Sequence, residues 1–177
     1  DMPRLECIDP ATDSGPGADI LNGPLKVKQI NIFKGLAAHP SVLEAFVAWA
    51  SGSKGGELSP AEVEVVQLAT AQRYHCDYCL AAHTMVAAGT GLDDSACEAI
   101  RRGDSDDPRL QALVDFTNAV LDTTGNVSDQ QLAGFRSAGF SDQAVIEVVA
   151  GISVMTFTSF YNHIHDTEVD FPQAAAV

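Results

Sequence analysis

Four side chains with thiol, imidazole and carboxylate chemistry lie close together in the sequence. Cys76-Asp77-Tyr78-Cys79 runs into Leu80-Ala81-Ala82-His83, and Glu64 stands twelve residues before the first cysteine. Two thiols three residues apart can cycle between a dithiol and a disulfide, and a nearby base can convert one into the nucleophilic thiolate. On a helix advancing about 100° per residue, Cys79 falls about 300° and His83 about 700° from Cys76, so the three side chains share one face. A helix start adds the positive end of the macrodipole and unpaired backbone N–H groups, which favour a thiolate. An ordinary thiol, with a pKa of about 8.5, is mostly protonated at pH 7, so a base or a positive field is required. A sulfenic acid on one sulfur needs a partner before it over-oxidises, and the second cysteine supplies it.

Glu64 can join this group only if the chain turns back. A continuous helix would hold it about 18 Å along the axis and about 120° around from Cys76. A break near Tyr74-His75 is therefore predicted. Leu58-Ser59-Pro60-Ala61-Glu62 starts the preceding helix, with Ser59 as N-cap, Pro60 at the first position and Glu62 completing a capping box. That helix should run to Gln72 or Arg73, and the next from Cys76 to Ala88, closed by Gly89 and Gly91.

Around this pair the same reading gives a helix from Val27 to Ala37, stopped by His39-Pro40, and one capped by Ser41 that ends near Ala50. Further helices start at Asp93-Asp94 and Pro108, and two more are capped by Ser128 and Ser141. The last runs toward His163 and is apolar on nearly all sides, as a central core helix or part of a subunit interface would be. No alternating strand pattern occurs, so the fold class expected is all-α with about eight helices. Residues 1–24 carry four Pro and three Gly and read as an extended arm with little regular structure. Residues 25–172 form the helical domain, and 173–177 a tail.

At 177 residues, 46% of them hydrophobic, the chain is long enough to build a core without disulfides or metal, which leaves its four cysteines free for chemistry. A net charge of −14 repels phosphate backbones and anionic lipids, and no basic cluster exceeds Arg101-Arg102, so nucleic-acid and membrane-surface binding are excluded. No apolar run reaches the ~18 residues of a membrane span. Asp1 to Pro24 holds five acidic residues and no apolar signal core. The compartment expected is the cytoplasm, where a close cysteine pair is catalytic or metal-binding rather than structural.

The residues alone leave alternatives open. Cys76 and Cys79 could be two inert buried thiols. With His83 and Glu64 they could instead supply a tetrahedral zinc shell, although zinc motifs usually bring a second ligand pair from elsewhere. Cys7, in the arm, and Cys97, on a helix, read as inert. His39 reads as a helix C-terminal cap, and His163 and His165 as cations at a helix end, although Asn162 and His163 could line a pocket above the thiols. Glu147, alone in an apolar helix with no Lys or Arg beside it, would pair across an interface or face water.

Glu64, Cys76-x-x-Cys79-x-x-x-His83 and the preceding Leu58-Ser59-Pro60 together resemble the alkylhydroperoxidase D (AhpD) core motif of the carboxymuconolactone decarboxylase-like superfamily. Asn31-Ile32-Phe33, Leu36 to Pro40 and Leu43 to Phe46 look like the helix pair that precedes the motif. Tyr161-Asn162-His163 with Asp166-Thr167 and Asp170-Phe171-Pro172 looks like the tail of the peroxidase-related branch. The resemblance implies an AhpD-like helical fold assembled as a homo-oligomer (dimer, trimer or hexamer) and a peroxidase that reduces hydroperoxides without cofactor or metal. By it, Cys79 attacks the O–O bond, Cys76 resolves the sulfenic acid into a Cys76–Cys79 disulfide, and Glu64 and His83 relay protons. A thiol or dithiol reductant, thioredoxin-like or lipoyl-type, would reopen the disulfide. Some members carry a second His between the cysteines where this chain has Tyr78, and His75 stands next to Cys76. A general disulfide oxidoreductase or redox-sensing module is the alternative; lactone decarboxylases of the superfamily generally lack the cysteine pair.

Overall fold

A computed structural model describes residues 3–177, so Asp1 and Met2 of the arm lie outside the described residues. The expected all-α class is found: α1 (Pro16–Asn22), α2 (Asn31–Leu36), α3 (Pro40–Gly52), α4 (Pro60–Arg73), α5 (Asp77–Ala88), α6 (Asp94–Arg102), α7 (Pro108–Thr123), α8 (Asp129–Ser137) and α9 (Asp142–His165). No strand occurs among the described residues.

α4 is the axis of the fold. The Ser59 hydroxyl accepts the Glu62 N–H at 3.3 Å and the Glu62 carboxylate accepts the Ser59 N–H at 2.8 Å, so the capping box fixes where the helix starts. From Glu62 to Ala71 every residue is buried, because α5, α6, α7 and α9 all pack on it. On one side lies an apolar cluster of α4, α6, α7, α8 and the first half of α9, with Phe135 stacked between Phe116 and Phe140 at 4.1 and 4.3 Å. On the other, α1 to α3, α5 and the second half of α9 enclose Leu36, Leu43, Phe46, Met155 and the two cysteines.

α9 is long and apolar enough to span a bilayer by length and composition. Its packing on α4, with Val148, Ile152 and Met155 buried, is that of a core helix. Its opposite side leaves Ile146, Val149, Phe160 and Ile164 exposed. Glu147 is half-buried and, among the described residues, paired with no cation: its carboxylate accepts the N–H groups of Glu57 at 2.7 Å and Leu58 at 2.9 Å. The outlier in the apolar helix thus pins the loop that leads into α4.

Three local expectations are corrected. The arm contains α1, whose Pro16 is pre-set for a first helical turn and whose Ala18 and Leu21 are buried. The helix expected from Val27 begins at Asn31, and Val27 is 91% exposed. The start is set from far away in the chain, because the Asp170 carboxylate accepts the Asn31 N–H at 2.8 Å. His39 does not cap the end of α2 and Ser41 does not cap α3. His39 is the N-cap residue of α3, with Pro40 at the first helical position.

Candidate active site

The break between α4 and α5 builds the site. His75 takes a left-handed conformation (φ 53°), its N–H donates to Gln72 O and the Cys76 N–H donates to Ala71 O, both at 3.1 Å. This is a Schellman termination with histidine where glycine is usual, and it hands the chain directly to Cys76 as N-cap of α5. The Cys76 sulfur accepts the Cys79 N–H at 3.3 Å, in the manner of a capping side chain. Cys76 is therefore at the helix start rather than on its face, while Cys79 occupies the first turn.

Both cysteines are buried, and their sulfurs stand 2.6 Å apart. Cys79 Sγ is surrounded by hydrogen-bonding groups from α9: Thr158 Oγ1 at 3.8 Å, Ser159 Oγ at 3.5 Å and Asn162 Nδ2 at 3.5 Å. The Cys76 proton directed at Cys79 pulls the Cys79 thiol below its ordinary pKa, and Ser159, Thr158 and Asn162 add to this against the opposing effect of burial. Cys76 moves the other way, since it gives its hydrogen bond to Cys79 and is itself buried. Of the two sulfurs, Cys79 is the one equipped to be the thiolate.

Glu64 and His83 meet, as the break allows. His83 Nδ1 lies 2.6 Å from Glu64 Oε2, with the carboxylate 3% and the imidazole 22% exposed. Among the described residues Nε2 has no protein partner. His83, Cys79, Tyr78, Gln67 and Asn162 line one cavity of about 460 Å³, bounded otherwise mainly by apolar groups of α2, α3 and α9. Cys76 is absent from that lining, so a molecule in the cavity meets Cys79 first.

Tyr78 does not replace a titrating histidine. Its hydroxyl accepts the Ile32 N–H at 3.2 Å, its ring packs edge-on to Phe171, and burial holds it protonated. His75 is exposed; its carbonyl lies 3.3 Å from His163 Nε2, which places His163 outside the cavity lining. His165 is buried rather than a solvated cation. It contacts Cys7 Sγ at 3.2 Å and Thr167 Oγ1 at 3.0 Å, and burial lowers its pKa. Burial raises the thiols of Cys7 and Cys97, the latter to about 11. Thr158, Ser159 and Gln67 are the site residues that motif reading misses. Their signal is polarity at spacings that recur within otherwise apolar helices: Thr158, Ser159 and Asn162 form one stripe on α9.

Removing the Asn162 donor should move the reactivity of Cys79 along the pH axis. The thiolate is the reacting form, so alkylation accelerates as pH rises through the Cys79 pKa; donors to the sulfur place that rise below the ~8.5 of a free thiol. Asn162→Leu keeps the volume and deletes one donor worth about 1 kcal/mol, which should shift the rise upward by about half to one pH unit. Iodoacetamide rates on the wild type and variant between pH 5 and 9, a range of about four units around neutrality, check this. An unmoved profile would remove Asn162 from the set that activates Cys79.

Residues 40–107, which hold α3 to α6 with Glu64, both cysteines and His83, match the carboxymuconolactone decarboxylase family. The match covers about two fifths of the chain, and the fold built around that segment is AhpD-like. The fold is shown by solved structures. A peroxidase-related protein with an AhpD core from Ralstonia eutropha superposes with a TM-score of 0.84 at 19% identity, over 96% of this chain and 93% of that one. A peroxidase-related protein from a Silicibacter species gives 0.78 at 20% identity, over 88% of this chain and 87% of its own. The debrominase Bmp8, solved with 2,3,4-tribromopyrrole, gives 0.68 at 16% identity over 79% of this chain and 76% of its own. No protein of curated function matches the sequence. At these identities the likeness is one of fold, and chemistry has to be argued from the site.

Proposed function

We propose that this AhpD-like member of the carboxymuconolactone decarboxylase superfamily is a thiol peroxidase that reduces hydroperoxides through Cys79 and Cys76. The carrying observation is the asymmetry of the two sulfurs. Cys79 faces the cavity and is surrounded by hydrogen-bonding groups, and Cys76 sits 2.6 Å behind it as a protonated thiol. The Cys79 thiolate attacks the terminal oxygen of R–O–O–H, the O–O bond breaks, and the electron pair leaves with the alkoxide. The sulfur becomes a sulfenic acid, and the alkoxide takes a proton from His83, which Glu64 orients and supports as an imidazolium. Cys76 then attacks the sulfenic sulfur, its proton leaves with the hydroxyl as water, and the pair closes from 2.6 Å to the ~2.05 Å of a disulfide.

A thiol or dithiol returns the pair to the reduced state. At 1% and 3% exposure, Cys76 and Cys79 are poor targets for a folded disulfide partner, which argues against the general oxidoreductase reading and favours a slender dithiol of the lipoyl type over a thioredoxin-like surface. Among the described residues no group of three or more His, Cys, Asp or Glu is placed to hold a metal. The exposed apolar residues of α9 support a homo-oligomer.

The test is a stopped-flow titration of fully reduced protein with one equivalent of tert-butyl hydroperoxide. Two thiols should disappear within seconds, and peptide mapping should find them joined as Cys76–Cys79. Thiols unchanged after minutes would overturn the reading.

A further inference from the structure

The four lysines of this chain all lie between positions 26 and 54, and residues 20–54 contain a single carboxylate, Glu44. In a molecule of net charge −14 this is a local reversal of sign, and it coincides with the cavity: Lys28 and Lys54 line it, and among the described residues no Asp or Glu does. Both lysines are exposed, and among the described residues neither ammonium has a hydrogen-bond or ion-pair partner. A small neutral peroxide has no use for them.

Polarity changes with depth. Lys28 and Lys54 are exposed members of the lining, Cys79, Met155 and Asn162 are buried ones, and most of the remaining lining is apolar. Two buried acceptors of the lining, Gln67 Oε1 and Asn162 Oδ1, have no partner among the described residues; Asn162 adjoins Cys79, while Gln67 also borders a smaller pocket with Lys54 and Glu147. A buried acceptor is ordinarily met by a donor. Asn162 already gives Nδ2 to the Cys79 sulfur at 3.5 Å, so a hydroperoxide O–H donated to its Oδ1 would place the O–O bond beside the nucleophile.

We propose that the ligand of this cavity is an acidic amphiphile, a fatty-acid-type hydroperoxide whose carboxylate is held by Lys28 and Lys54 at the mouth while its apolar chain carries the peroxide group down to Cys79. The peroxide part rests on the thiol peroxidase reading; the carboxylate part does not. The overall step is R–OOH plus two thiols giving R–OH, water and the Cys76–Cys79 disulfide, so the product is a hydroxy acid and the enzyme stands after a reaction that peroxidises an unsaturated acid.

Two measurements on the full chain separate these parts. Calorimetric titration with decanoate and with decanol probes the mouth without peroxide chemistry. Decanoate should bind about tenfold more tightly at low salt, a preference that shrinks as salt screens it and disappears in the Lys28→Gln/Lys54→Gln double variant. Equal binding of the two, binding of neither, or a preference that survives loss of both ammoniums would overturn the proposal. In the second, wild-type protein is given linoleic acid hydroperoxide, its methyl ester and tert-butyl hydroperoxide. A kcat/KM about tenfold higher for the acid than for its ester is expected, and an ester reduced as well as the acid overturns the assignment. Reduction of none of the three, with the decanoate preference intact, defeats the peroxidase reading and leaves an acid-binding cavity.

Discussion

Replacing Cys79 by serine is expected to abolish peroxide-driven thiol loss, a fall in rate of at least about a thousandfold, while Cys76→Ser keeps the first step fast. A serine hydroxyl in place of Cys79 is not ionised near neutrality and is a far weaker nucleophile toward an O–O bond. In Cys76→Ser the hydrogen-bonding groups of α9 remain around Cys79, so one thiol should still be consumed in a burst. The reaction should then stop at a sulfenic acid, trappable by dimedone and driven to sulfinic acid by excess peroxide, because its partner is gone. The opposite result is physically meaningful. Cys76 is the N-cap of α5, where the macrodipole alone would favour a thiolate, and it accepts the Cys79 N–H. A burst in Cys79→Ser and none in Cys76→Ser would mean that the helix terminus outweighs the side-chain donors, and the roles would have to be exchanged. The cavity argues for the first outcome, since Cys79 lines it and Cys76 does not.

What the sequence conveyed about this site follows from what is local. The capping box at Ser59, the turn at Tyr74-His75 and the cysteine spacing are short-range features, and each is found where its residues require it. The turn matters most, because it converts a twelve-residue separation into a contact between Glu64 and His83. Features set by distant partners were not legible. The start of α2 depends on Asp170, the role of Glu147 on the N–H groups of Glu57 and Leu58, and the buried state of His165 on an arm that brings Cys7 to it. His39 and Ser41 depart from the sequence expectation for a different reason. Pro40 follows His39 at once, and proline can open a helix as readily as end one, so the residue before it serves as N-cap. The hydroxyls of Thr158 and Ser159 are not legible because polar residues within an apolar helix have no meaning until a facing thiol gives them one.

The second large effect is expected at Glu64. Glu64→Gln keeps the size and one hydrogen bond to His83 Nδ1, but it removes the negative charge that supports an imidazolium; the carboxylate is only 3% exposed, so water does little to screen that charge. If His83 delivers its proton to the departing alkoxide, the loss must depend on how badly the leaving group needs it. For tert-butyl hydroperoxide, whose alkoxide is strongly basic, kcat/KM should fall by about a hundred- to a thousandfold, the range of positioned acid–base catalysis. For peracetic acid, which releases a stable carboxylate, the fall should be under about tenfold, because that leaving group departs without a proton. Stability provides the control: a buried pair loses its charge complement, so the melting temperature should drop by a few degrees, equally whichever peroxide is later assayed. Equal losses for the two peroxides would mean that Glu64 holds the helices α4 and α5 together without acting through His83, and rates unchanged for both would take the pair out of the reaction altogether. The differential loss is what separates a proton relay from a buried strut, since only a relay knows the basicity of the atom that leaves.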